Sequence, residues 1–311
     1  VALFHMANLF LSYFLHFILF PNHVRLREMT EEREDLKMSV VKNGTLQVPG
    51  ANIYYEVRGA GPLLLLIHGG GGDADKFHNL ANHLADRYTV VTYDRRGHSR
   101  SILANQTEDY QVETHSDDAH CLLAKLTDEP AYIFGSSSGS VIGLDLCIRH
   151  PEQIRMIIPH EPVLLQLLYD NELVQAKQFL KYLKENHRNE VVKLLSISEV
   201  DTNNCGHLKD GKTERLLSNS TYFVEHEIPG IINYSLAIDA LKARLKSSPM
   251  QVLPAGGSAS REFFAYRCSA VLTELLGTKF VEFPGHHGAY NSELHQAFAE
   301  KLHNILKAEN T

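Results

Sequence analysis

The apolar positions along this chain change period repeatedly, and the changes outline an architecture. "TLQVPGANIYYEVRG" reads as two strands around a Pro49-Gly50 turn, the second alternating apolar and polar. "PLLLLIHGGGG" and "YTVVTYD" are short continuous apolar runs, the mark of strands buried on both faces. Between them Phe77, Leu80, Ala81 and Leu84 recur at helical spacing, so Lys76 to Asp86 is expected to be a helix. A helix over His115 to Leu126, the strand "AYIFG", a helix from Ser138 to His150 ended by Pro151, and the strand "IRMIIPH" continue the alternation. It then stops. From Pro162 to Pro249 the patterns are helical ("LVQAKQFLKYLKENH", "AIDALKARLK"), and no buried strand is evident. It resumes with the strand "MQVLPAGG", a helix near Cys268 to Leu276, the strand "TKFVEFPG" and a helix from Ser292 to Lys307. Strand–helix alternation of this kind predicts a mostly parallel sheet with helices on both faces. The expected domains are an α/β core over 38–161 and 250–311, a helical cap insertion over 162–249, and an extension over 1–37 outside the fold.

Composition narrows the class. The chain has 311 residues, 44% hydrophobic and 22% charged, with a formal net charge of −7. That is an ordinary globular profile, long enough for one large α/β domain. The negative charge and the absence of long basic runs argue against nucleic acid as a partner. The four cysteines stand far apart with no CxxC pair, which suits a reducing compartment rather than a disulfide framework or zinc site. Residues 2–20 are strongly apolar and are followed by Arg25, Arg27 and "EEREDLK". Three readings apply: extra sequence outside the fold, a membrane anchor leaving the main domain cytoplasmic, or a signal peptide. Membrane contact is expected through residues 1–20 or not at all, and the main domain is expected in the cytoplasm.

The candidate chemistry sits at the ends of the predicted strands. Gly135-Ser136-Ser137-Ser138-Gly139 matches G-x-S-x-G between a strand and a helix. A nucleophile on so sharp a turn needs tiny neighbours two positions either side, and stands above a helix N-terminus that favours developing negative charge. A serine-rich helix cap is the simpler alternative. His68-Gly69-Gly70-Gly71-Gly72 follows a buried strand, and such a loop lets backbone N–H groups approach a substrate oxygen. Gly70 is the expected oxyanion donor, together with the N–H of Ser138. "FPGHHGAY" follows the last strand, where a general base should stand; His286 and His287 both qualify. No metal-ligand spacing occurs among the 18 histidines. Asp94 and Arg95 in "DRRGHSRS" read as structural ties between loops, with substrate contact by Arg95 or Arg96 as the alternative. Asp117 and Asp118 read as solvated residues of an outer helix.

With "YYEVRGAGPLLLLIHGGGG", "VVTYDRRGHSRS", "IFGSSSGSVIGLDLCIRHPE" and "VEFPGHHGAY" in this order, the chain resembles the α/β-hydrolase fold superfamily. It is similar in particular to the cofactor-free bacterial serine hydrolases of the esterase, lactonase and haloperoxidase-like group. The resemblance implies an α/β-hydrolase fold with Ser137 as nucleophile. Its P-G-x-H ending favours His287 over His286 as base. It implies no cofactor and a small-molecule, ester-like substrate. Family members usually place the acid after the strand matching "MQVLPAGG", where this chain has Gly256-Gly257-Ser258-Ala259-Ser260-Arg261 and no carboxylate before Glu262. Glu161, at the end of "IIPHEPVLL", is the expected acid, a position some relatives use. Epoxide hydrolase and dehalogenase chemistry is disfavoured, because those relatives carry Asp where Ser137 stands.

Overall fold

The computed structural model describes residues 40–105, 108–197 and 211–308. The 1–37 extension lies outside the described residues. The apolar runs form the strands they suggest. In chain order these and the helices are β1 (Lys42–Val48), β2 (Ala51–Arg58), β3 (Leu63–Ile67), α1 (His78–Leu84), β4 (Thr89–Tyr93), β5 (Ile102–Leu103), α2 (Val112–Leu126) and β6 (Ala131–Ser136). They continue as α3 (Ser138–Arg149), β7 (Ile154–His160), α4 (Asp170–Ile197), α5 (Gly211–Tyr222), α6 (Ile228–Asn233), α7 (Ile238–Ser247), β8 (Gln251–Val252), β9 (Ala255–Gly257), α8 (Phe264–Leu276), β10 (Val281–Phe283) and α9 (His295–Ala308).

The sheet order is β1-β2-β4-β3-β6-β7-β9-β10, with β5 beside β2 and β8 beside β7. The β1–β2 and β2–β4 pairs are antiparallel. From β4 across β3, β6, β7 and β9 to β10 every pair is parallel. A central parallel strand is covered on both faces, so it has no polar side. β3 (LLLLI) and β6 (AYIFGS) accordingly lie buried along their whole lengths. One apolar cluster packs Leu80, Leu84, Phe298, Leu302 and Leu306 of α1 and α9 against one face. The other packs Ala119, Leu122, Val141, Leu144, Leu241 and Val271 of α2, α3, α7 and α8 against the opposite face.

Two local differences from the sequence reading have simple causes. The single strand expected in "MQVLPAGG" is two short strands, because Pro254 has no N–H to continue the ladder; its carbonyl instead accepts from Val281 N. Asp118 is not solvated. It is 2% exposed, and Arg96 donates to both of its oxygens at 2.6 Å. Burial raises its carboxyl to about 6, although Arg96 acts in the opposite direction. Neighbouring positions on a helix point about 100° apart, so Asp117 faces outward to Arg149 while Asp118 turns under the loop that carries Arg96.

The segment 162–249 runs from the end of β7 to the start of β8 through α4, α5, α6 and α7, with no strand among its described residues. Among the described residues, no helix is long and apolar enough to cross a membrane.

Candidate active site

Ser136 ends β6 and Ser138 opens α3, leaving Ser137 alone to turn the chain. Its backbone sits at φ 56°, ψ −122°, where an L-residue is strained by roughly 1–3 kcal/mol. The surroundings enforce the turn. A Cβ at Gly135 would fall 2.6 Å from Gly139 O, and one at Gly139 would fall 2.3 Å from Ile67 O. Both flanking glycines are therefore needed for backbone to pass backbone. Ser137 N donates to His160 O at 2.9 Å, tying the turn to the neighbouring strand β7.

The next positive φ along this sheet edge is Glu161, at 50°, directly after β7. That kink turns a fully buried carboxylate toward the loop beyond β10. Glu161 Oε2 accepts from His287 Nδ1 at 2.5 Å, and Oε1 accepts from Gly257 N at 2.7 Å. Burial raises the Glu161 carboxyl, but attraction to His287, the hydrogen bond from its ring and the Gly257 amide outweigh burial, and the net shift is downward. A carboxylate can only accept, so the proton lies on His287 Nδ1 and leaves Nε2 as the ring's other face. His287 is 8% exposed. His286, half-buried beside it, accepts from Gly288 N through Nδ1 at 3.2 Å. The structure thus brings Glu161 to His287. Glu262 is exposed, and Ser258 Oγ accepts from Gly285 N at 3.2 Å.

Ser137, Ser138 and Phe263 line one narrow cavity, and the Phe263 ring also lies 5.1 Å from the His287 ring. Its other walls are Val163, Phe179, Leu180, Phe223, Ile228 and Ile231 from the 162–249 segment, with Phe264. Among the described residues, the only polar side chains on it are the two serines. Gly70 lies in the loop after β3, so close under the Phe223 ring that a Cβ there would meet it at 2.1 Å. That loop is held from below. His68 Nδ1 donates to Gly69 O at 2.8 Å, and His68 Nε2 accepts from Arg95 N at 3.2 Å. Burial and the Arg95 charge keep His68 neutral, with a pKa well below the usual histidine value. Asp94 accepts from Ala74 N and Arg100, and so ties loops together. Arg95 and Arg96 are both buried and ion-paired within the protein, Arg96 with Asp118 and Glu108, Arg95 with Glu227. Glu227 escaped the sequence reading; it sits in "FVEHEIPG", which matches no motif, and its partner lies 132 positions away.

Among the described residues, His160, Glu161 and His287 are the group whose donor atoms come within 4.8 Å of one another, close enough to share a metal ion. Both Glu161 oxygens already accept hydrogen bonds, from His287 Nδ1 and Gly257 N. His160 is fully buried, with ring centroids of Phe134, Phe283 and Phe298 at 5.6–5.9 Å. Burial lowers its pKa to about 4, with Glu161 opposing and His287 and His286 adding to the fall. A histidine buried neutral destabilises the fold where only the unfolded chain takes up the proton. Here that window runs from about pH 6.5 down to about 4, over which roughly 3 kcal/mol is lost. Urea unfolding of His160→Leu at pH 7 and pH 5 should show a shallower fall in stability than the wild type. An equal fall would mean that His160 is already charged in the folded protein.

A mostly parallel sheet with helices on both faces defines a fold class, and the comparisons agree on it. The α/β hydrolase fold family matches residues 62–195, and the chain belongs to that family. It is 65% identical over 269 residues to "Uncharacterized hydrolase YraK" of Bacillus subtilis, covering 86% of this chain and 97% of that one. Among solved structures it is similar to a bromoperoxidase from Bacillus anthracis (TM-score 0.65, 20% identity, 86% of this chain and 100% of that one). It is also similar to a thermophilic esterase from Thermogutta terrifontis (TM-score 0.64, 18% identity, 87% and 100%).

Proposed function

We propose that the protein is a serine hydrolase that cleaves an ester-type bond, a carboxylic ester or a lactone, of a small apolar substrate through an acyl-enzyme. The observation that carries this reading is the strained Ser137 turn opening on an apolar cavity at the head of α3. Ser137 Oγ attacks the carbonyl carbon while His287 Nε2 takes its proton. Glu161 fixes the Nδ1–H tautomer and stabilises the imidazolium that forms. The N–H groups of Gly70 and Ser138 receive the negative oxygen, and the α3 N-terminus adds to that field. His287 then returns the proton to the leaving alcohol. A water, deprotonated by the same nitrogen, attacks the acyl carbon and releases the acid and free Ser137. No metal or organic cofactor takes part. The 162–249 segment serves as a cap whose phenyl and branched side chains desolvate the acyl group.

The alternative on the same site is attack of hydrogen peroxide, in place of water, on the acyl-enzyme. A panel of p-nitrophenyl esters of increasing chain length, simple lactones, amides and a β-diketone tests the reading. Short esters or lactones should turn over and long-chain esters should not, because the cavity is small and closed in by aromatic rings. Cleavage of the β-diketone with no ester or lactone turnover would replace the proposal with C–C bond hydrolysis.

A further inference from the structure

The cap helices are tied to the core by several polar contacts, and one of them differs from the rest in where it leads. Arg215 of α5 donates to Asp75 at 3.1 Å with both side chains about a third exposed. Asn219 donates to Gly72 O at 3.1 Å and accepts from Ser99 N at 2.7 Å. Tyr234 donates to Asp145 at 2.8 Å. Between α5 and α6 the chain makes a single π-helical turn, Phe223–Glu227. Such turns widen a helix by one residue and often mark functional positions. This one presents two residues to the site. Phe223 lies on Gly70, and Glu227 reaches Arg95.

The Arg95–Glu227 pair is 0% exposed on both sides. Arg95 Nη2 donates to Glu227 Oε1 at 2.9 Å and Oε2 at 3.0 Å, and the same nitrogen donates to Gly69 O at 3.0 Å. Arg95 N holds His68, and Nη1 donates to Tyr110 OH at 3.3 Å. His98 Nε2 lies 3.4 Å from Glu227 Oε2. Burial raises the Glu227 carboxyl, but the Arg95 charge, His98 and the nearby Ser138 hydroxyl outweigh it and hold the carboxyl below its usual range. One carboxylate from the cap therefore neutralises the arginine that grips the loop of Gly69 and Gly70, and it stands beside Ser138. These are the two backbone positions assigned above to the oxyanion.

We propose that Glu227 is a positioning residue that couples seating of the cap to formation of the oxyanion site. It rests on the serine hydrolase reading above. With Glu227 in place, Arg95 is drawn to one position, Gly69 O is held, and Phe223 closes over Gly70. Without it the guanidinium has no buried counter-charge, and both the loop and the phenyl ring are released. A buried ion pair kept only for stability would act differently, since two apolar residues of similar size can replace such a pair without loss of stability.

The test uses the full chain as wild type, Glu227→Gln, the paired Arg95→Met/Glu227→Met variant, and Arg215→Ala as a control that cuts a different tie of the same helices. The readouts are kcat and KM on p-nitrophenyl acetate, the rate of fluorophosphonate labelling, thermal stability, and amide hydrogen exchange of the loop containing Gly69–Gly72. Glu227→Gln should lower kcat about 100-fold, the scale of loss when reacting groups are misplaced by an ångström, with KM changing far less. Its loop amides should exchange faster. The paired variant should regain thermal stability while kcat stays low, and it decides the matter if Glu227→Gln does not fold. Arg215→Ala should keep wild-type kcat. Wild-type kcat in Glu227→Gln, or recovery of kcat together with stability in the paired variant, would overturn the proposal. A wild-type chain that neither labels nor hydrolyses esters would instead overturn the hydrolase reading, and this proposal with it.

Discussion

Replacing Ser137 by Ala is expected to abolish ester turnover while the chain folds normally. The account asks one oxygen to make the bond to the acyl carbon, and alanine removes that oxygen and nothing else. Residual rate should come from the oxyanion donors and the binding cavity alone, several orders of magnitude below the wild type. Stability should hold or rise slightly, because Ser137 is only half-buried and its hydroxyl supports no strand or helix. The positive φ at Ser137 would persist, since Gly135 and Gly139 are packed backbone against backbone. Kinetics on a short ester, with circular dichroism to confirm folding, make the check. Near-wild-type hydrolysis by this variant would remove the nucleophile from the account, and the mechanism with it.

Glu161→Gln is expected to cost about as much as neutralising a triad carboxylate elsewhere, roughly 10⁴-fold in kcat. The amide keeps the shape and can still accept from Gly257 N or His287. It carries no charge to balance an imidazolium, and its NH₂ group can turn the ring to the wrong tautomer. Glu161 also has its pKa lowered in the fold. A depressed carboxyl contributes stability above its unfolded value and loses it as pH falls through the folded one. The variant should therefore lose less stability than the wild type on acidification below about pH 4.5. The Glu161 carboxylate rests on the amide of Gly257, the residue before Ser258. Ser258→Asp in the Glu161→Gln background should restore part of the rate if both positions serve His287. A Glu161→Gln enzyme with most of its activity would mean that the acid is elsewhere.

How much of this was legible in the sequence depends on the range of the forces involved. The central strands were readable because burial on both faces leaves an uninterrupted apolar run, as in LLLLI of β3. The Ser137 turn was readable because the serine and its two glycines form a short contiguous pattern, although it is Ile67 on a neighbouring strand that leaves Gly139 no room for a Cβ. The preference for His287 over His286 rested on likeness to other chains, and the hydrogen bond to Glu161 now gives it a geometric counterpart. Asp118 was misread because its surroundings are set by Arg96, 22 positions away, and not by its own helix. Pro254 was visible, but its effect on the strand was not, since that depends on which neighbour needed its missing N–H. Glu227 was beyond reach. No local pattern distinguishes a helical glutamate that meets solvent from one that meets a buried arginine across the fold.

The most direct measurement is reaction of the folded protein with a fluorophosphonate, followed by peptide mapping. The expected result is one phosphonyl group per chain, on Ser137, absent from the Ser137→Ala variant. Failure to label a folded wild-type chain, or labelling at Ser136 or Ser138 instead, would contradict the central claim.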